Sequence, residues 1–138
     1  MDFIWGDLLA QKIKILLDTN FLLTMVRHKI HGFEEIKGKL PAEFFVLGRV
    51  IHELNSLGKN DKKIRNEARI VEEVLKNNRV KEIDSTSEDV DSELVALSKE
   101  YVIATNDKLL RRRVKQAGGK TIFIRSLTYI DVEDLVEE

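Results

Sequence analysis

Short apolar runs alternate with amphipathic stretches along nearly the whole chain, and few folds accept such an alternation. Residues 14–17, 43–46, 80–83, 101–105 and 121–124 are strand-length apolar runs. Between them the apolar positions recur every three or four residues, as a helix with one buried face requires. Phe21, Leu22, Met25 and Val26 predict a helix over 20–27, and residues 32–39 form another that stops before Pro41, because the residue preceding proline leaves the helical region. Leu47, Val50, Ile51, Leu54 and Leu57 mark a third helix ending at Gly58, and Ile64, Ala68, Val71, Val74 and Leu75 a fourth ending near Asn77 and Asn78. Residues 90–100 and 108–117 complete the helical set. Strand, helix, strand in succession implies right-handed crossovers and a mainly parallel sheet covered on both faces, a three-layer α/β/α sandwich.

The length of 138 residues suits one domain, with a core over 13–126 and extensions at 1–12 and 127–138. No internal repeat or low-complexity segment interrupts it. There is no cysteine, which excludes disulfides, thiolate zinc sites and a cysteine nucleophile, and fits a reducing, cytoplasmic setting. The N-terminal stretch MDFIWGDLLAQKIK places Asp2 and Asp7 among short apolar pieces, so it reads neither as a secretory signal nor as a membrane span. Phe3, Ile4 and Trp5 within it are candidates for packing against a second copy in a homodimer, or back on the same chain.

In open parallel sheets ligands bind beyond the carboxyl ends of the strands. Asp18 ends the first strand and Asp107 the fourth, and each is also a natural helix cap. Glu53 lies three residues after Val50 and four before Leu57, on the flank of an apolar stripe, where a salt bridge to a lysine is the plainer alternative. In TSEDVDSELVAL, Thr86 followed by Asp89 resembles a capping box, whereas Asp91 shares a face with Leu94, Val95 and Ser98 that turns toward the sheet. Carboxylates gathered at one sheet edge oppose their own ionisation unless a cation neutralises them. Mg²⁺ or Mn²⁺ prefers oxygen ligands, acidifies bound water and stabilises a leaving oxygen on phosphorus.

Net charge is −1, so no overall attraction to polyanions is expected. The distribution is more telling. Lys108, Arg111, Arg112 and Lys115 recur at i, i+3, i+4 and i+7 beside the fourth acid, a candidate track for phosphates or simply a solvated helix face. Lys59, Lys62, Lys63 and Arg65 form a second basic stretch. Gly58-Lys59 lacks the remaining residues of a phosphate-binding loop, and His28, His31 and His52 lack metal-ligand spacing, so these histidines read as structural or surface residues.

LLDTNFLL, VIHELNSL, DSELVALS and VIATNDKLLRRRV, in this order, resemble the acidic motifs of the PIN-domain family of metal-dependent ribonucleases. The resemblance spans about residues 13–126. In style, DTNFLL and ATNDKLLRRR are closer to the stand-alone archaeal and ribosomal-processing branch than to the toxin branch. It implies a four-to-five-stranded parallel sheet between helices and endonucleolytic cleavage of single-stranded or structured RNA. It also implies Asp18, Glu53, Asp91 and Asp107 as ligands of Mg²⁺ or Mn²⁺. Asn20, Thr105 and Asn106 match the polar residues beside the first and fourth acids, with the supporting role of orienting ligands or metal-bound water.

Residues and resemblance together predict an endoribonuclease acting through metal-activated water, with a place in rRNA or other RNA processing. The rivals are a PIN-fold RNA-binding scaffold without catalysis, and a toxin-type ribonuclease partnered by an antitoxin.

Overall fold

A computed structural model of the chain describes residues 11–135, except for the side chain of Glu133. The expectations placed on Phe3, Ile4 and Trp5 lie outside the described residues. The strands are β1 (Ile13–Leu17), β2 (Ala42–Leu47), β3 (Lys81–Ile83), β4 (Val102–Ala104), β5 (Thr121–Arg125) and β6 (Tyr129–Asp131). The helices are α1 (Thr19–Arg27), α2 (Gly32–Lys39), α3 (Gly48–Leu57), α4 (Lys62–Asn77), α5 (Val90–Leu97) and α6 (Lys108–Gln116), followed by a short 3₁₀ turn, Glu133–Leu135.

One six-stranded sheet runs in the order β3-β2-β1-β4-β5-β6, parallel except for β6. Ile15, Leu16 and Leu17 are all fully buried, because β1 lies centrally and both its faces are covered. Phe21 and Leu22 of α1, Leu94 of α5, and Leu110 and Val114 of α6 close over the sheet. Each such side chain contributes about 1.5–3 kcal/mol by leaving water. Chain order reverses between β1 and β4, so a crevice opens at their carboxyl ends, just where Asp18 and Asp107 follow.

Three sequence expectations are corrected. The fifth helix ends at Leu97 rather than residue 100. The capping box at Thr86 does not form: Asp89 is itself the cap, accepting from Ser92 N–H at 3.2 Å and Ser92 Oγ at 2.7 Å. Thr86 instead donates its N–H and hydroxyl to Glu93 Oε2, at 2.8 and 3.1 Å.

The third correction is β6, which lies in the segment read as a terminal extension. A turn through Ser126 and Leu127, both at positive φ, folds it back antiparallel on β5, with Arg125 opposite Tyr129. Such turns usually announce themselves by Asn-Gly or Asp-Gly, and this one does not. The outer edge of β6 is covered by α2: Ile130 N–H donates to Glu35 Oε2 at 2.8 Å, and Lys39 Nζ donates to Ile130 O at 3.2 Å.

Candidate active site

Asp18 is the residue at which β1 becomes α1. Its N–H donates to Ala104 O of β4 at 2.9 Å, which ties the two strand ends together. Its carboxylate caps α1 by accepting from Thr19 N–H at 2.8 Å through Oδ1, and accepts from Thr105 Oγ1 at 2.8 Å through Oδ2. Only 6% of the residue is exposed. Burial above all, with the charges of Asp91 and Glu53, raises its pKa from 3.8 to about 6, against the two hydrogen bonds that favour the charged form.

Thr105 and Asn20 organise the loop between β4 and α6. The Thr105 hydroxyl that donates to Asp18 also accepts from Asp107 N–H at 3.1 Å, so it links the first and fourth acids. Asn20 Oδ1 accepts from Asn106 N–H at 2.9 Å and faces Thr105 Oγ1 at 3.3 Å. Asn106 spends its side chain on β5, donating to Ile124 O at 3.2 Å and accepting from Ile124 N–H at 2.9 Å. Its amide therefore holds the loop that carries Asp107 to the sheet. Asp107 caps α6 by accepting from Leu109 and Leu110 N–H at 2.9 and 3.2 Å.

Asp91 stands in the first turn of α5, half-buried. Burial raises its pKa first, then the nearby charges of Asp107, Asp89 and Glu53, while Arg113 works the other way. Glu53 projects from α3, exposed, and among the described residues it makes no hydrogen bond or ion pair. The lysine salt bridge considered for it is absent among those residues. Asp18 and Asp91 both feel its charge. With Asp91 also acting on Asp18, and Asp107 on Asp91, the four carboxylates are linked through Asp91 at the C-terminal edge of the sheet. Among the described residues, no three or more His, Asp or Glu side chains are arranged to hold an ion together.

The basic helix face divides. Lys108 and Arg112 are exposed, but Arg111 is half-buried with its guanidinium carbon 3.4 Å from the centre of the Phe123 ring, and Lys115 pairs with Asp134 at 3.5 Å. The expected track of four is therefore two open cations and two engaged ones. Sequence spacing missed Arg113, which donates to Ser92 Oγ at 3.2 Å and is the cation that bears on Asp91. Its signal was present: Arg113 sits three residues after buried Leu110, on the flank facing α5. In the second basic stretch Arg65 is occupied by the carbonyls of Gly58 and Lys59, at 2.9 and 3.0 Å, whereas Lys59, Lys62 and Lys63 are exposed. His28, His31 and His52 are all exposed.

A family model described as a PIN like domain matches residues 15–127, which takes in all four acids. The chain belongs to the PIN-like domain family. Ribonuclease VapC4 of Methanocaldococcus jannaschii is 29% identical over 129 residues, covering 89% of this PIN-like chain and 98% of the relative. The structure of the PIN domain endonuclease Utp24 superposes with a TM-score of 0.69 at 23% identity, over 86% of this chain and 91% of the other. A domain of a functionally unknown protein from Methanocaldococcus jannaschii gives 0.55 at 20% identity, over 83% and 92%. These two likenesses establish the shared fold. No helix among the described residues is long and apolar enough to cross a membrane.

Proposed function

We propose that this PIN-like domain is a metal-dependent endoribonuclease that hydrolyses RNA phosphodiester bonds, leaving 5′-phosphate and 3′-hydroxyl ends. The observation that carries the reading is the charge state of the crevice. A buried Asp18 with its pKa near 6 lies in the field of Glu53 and Asp91, and Asp91 in that of Asp107. A purely structural cap has no need of three further acids around it. The names of two relatives, a ribonuclease and an endonuclease, support the same chemistry.

The donor set is all oxygen and fits a hard cation, Mg²⁺ or Mn²⁺. Because no three acids among the described residues are arranged to enclose one, the fit is to an ion held by one or two carboxylates that keeps water in its shell. Those one or two carboxylates would come from Asp18, Glu53, Asp91 and Asp107, the remaining acids reaching the ion through its water. When bound, such an ion acidifies water and stabilises the leaving oxygen. Thr105 fixes the Asp18 carboxylate by its hydrogen bond, Asn20 fixes the backbone at Asn106, and Arg113 offsets part of the negative field at Asp91. Lys108 and Arg112, exposed on the helix that starts at Asp107, provide positive charge along the path of an RNA backbone.

We place the enzyme in RNA processing in the cytoplasm. The test is cleavage of unstructured RNA by purified protein with Mn²⁺: the wild type cuts, and Asp18→Asn is slower by at least about 10²-fold. Equal rates would refute catalysis and favour an RNA-binding scaffold.

A further inference from the structure

Bordered by Asn106 and Lys108, the neighbours of Asp107, lies a cleft of about 340 Å³. Lys108, Arg111, Phe123 and Arg125 line it, together with Asn106 and Ser126. Arg111 lies flat on the Phe123 ring, its guanidinium carbon 3.4 Å from the ring centre, and Arg125 approaches the same ring at 5.1 Å. Arg111 Nε is buried without a hydrogen-bond partner among the described residues. Burying a guanidinium nitrogen unpaired is costly, and a stacked guanidinium presents its donors in a plane, the geometry that matches phosphate. The acids that bear on Arg111 are Asp131 and Asp134, and both have cations of their own: Arg125 pairs with Asp131 and Lys115 with Asp134.

We propose that this cleft is a second phosphate site, in which Arg111, stacked on Phe123, and Lys108 grip an internal phosphodiester of the RNA strand next to the one being cut. The inference rests on the reading of the chain as a ribonuclease. Arg111 follows Asp107 by four residues, just over one helical turn and about 6 Å along the axis, and its N–H donates to Asp107 O at 2.9 Å. Lys108 lies between them. A strand with one phosphate at the carboxylates therefore carries a neighbouring phosphate toward the cleft, and Phe123 and Arg125 hold the Arg111 plane ready for it.

The experiment measures binding of a fluorescent single-stranded RNA to full-length Asp18→Asn protein across a range of salt concentrations, so that no cleavage intervenes. Adding Arg111→Gln is expected to weaken binding about tenfold and to flatten the dependence of log K on log salt by about 0.7, one phosphate contact on a single strand. Lys76→Gln, at an exposed lysine of α4 that does not line the cleft, is expected to leave that slope unchanged. Thermal unfolding of each variant verifies the fold, and Phe123→Leu, which keeps an apolar residue but removes the stacking face, is expected to weaken binding in the same direction. RNA that binds with an unchanged slope in Arg111→Gln, or an equal loss in Lys76→Gln, overturns the second site and leaves the ribonuclease reading intact. An effect confined to 5′-phosphorylated strands overturns the internal placement. Failure of the protein to bind RNA at all overturns both readings.

Discussion

Thr105 Oγ1 donates to Asp18 Oδ2 at 2.8 Å and accepts from Asp107 N–H at 3.1 Å, so a single hydroxyl joins the carboxylate that ends β1 to the backbone of the one that follows β4. Thr105 is fully buried. Thr105→Val keeps the shape and removes the link, leaving an acceptor and a donor unsatisfied. We expect a loss of about 1–3 kcal/mol in urea unfolding. Because that hydrogen bond lowers the Asp18 pKa, its removal moves the acidic limb of the pH–rate profile upward. A profile that does not move would show that Thr105 does not set the charge of Asp18.

Asp18 makes the metal-free protein less stable as pH rises. Its carboxyl titrates near 6 in the folded chain and near its ordinary value of 3.8 in the unfolded chain, so between these values the folded form holds a proton that the unfolded form has lost. Stability therefore falls from about pH 4 to pH 6 and the penalty is constant above that. The full shift corresponds to about 3 kcal/mol. Asp18→Asn, which loses one acceptor but carries no charge, is expected to be about 1–3 kcal/mol more stable than wild type at pH 8 in chelator and equal to it below about pH 4. Calorimetry across pH tests both the sign and the window.

Glu53 separates a reagent from a structural residue. It is exposed and unpartnered among the described residues, so Glu53→Gln should change unfolding free energy by no more than about 0.5 kcal/mol. Its charge nevertheless acts on Asp18 and Asp91. Cleavage with Mn²⁺ is expected to fall by about 10²-fold or more, a loss that stability cannot explain. Unaltered turnover would remove Glu53 from the site.

Arg27 and Glu67 provide the converse case. Two hydrogen bonds, at 3.0 and 2.8 Å, tie the end of α1 to α4, far along the helix from Asp18. Glu67→Gln is expected to cost about 1–2 kcal/mol in stability and to leave kcat unchanged. A fall in kcat at full folding would mean that α1 transmits strain to the site.

Much of this was legible in the sequence because strand ends and helix starts are local events. The apolar run Ile15, Leu16, Leu17 followed by Asp18 announces a buried central strand and its terminal acid without any tertiary information. Helical spacing likewise placed Asp91 on the inward flank of α5. What spacing could not supply is the partner across a packed surface. Arg111 belongs to the basic face by periodicity, but Phe123 on β5 draws it flat against the sheet. The place of Asn106 beside Asp107 is plain in the sequence, but not that β5 offers both halves of the Ile124 peptide to its amide. β6 escaped because Ser126 and Leu127 adopt positive φ without glycine, so the turn carries no residue signal.

The most direct test of the central claim is anomalous diffraction from crystals grown with Mn²⁺. The account predicts a peak in the crevice between β1 and β4, about 2.0–2.2 Å from a carboxylate oxygen of Asp18 and reached by at least one of Glu53, Asp91 or Asp107 directly or through water. A crevice without a peak at saturating Mn²⁺, or a peak confined to exposed groups such as His28 and His31, would contradict it.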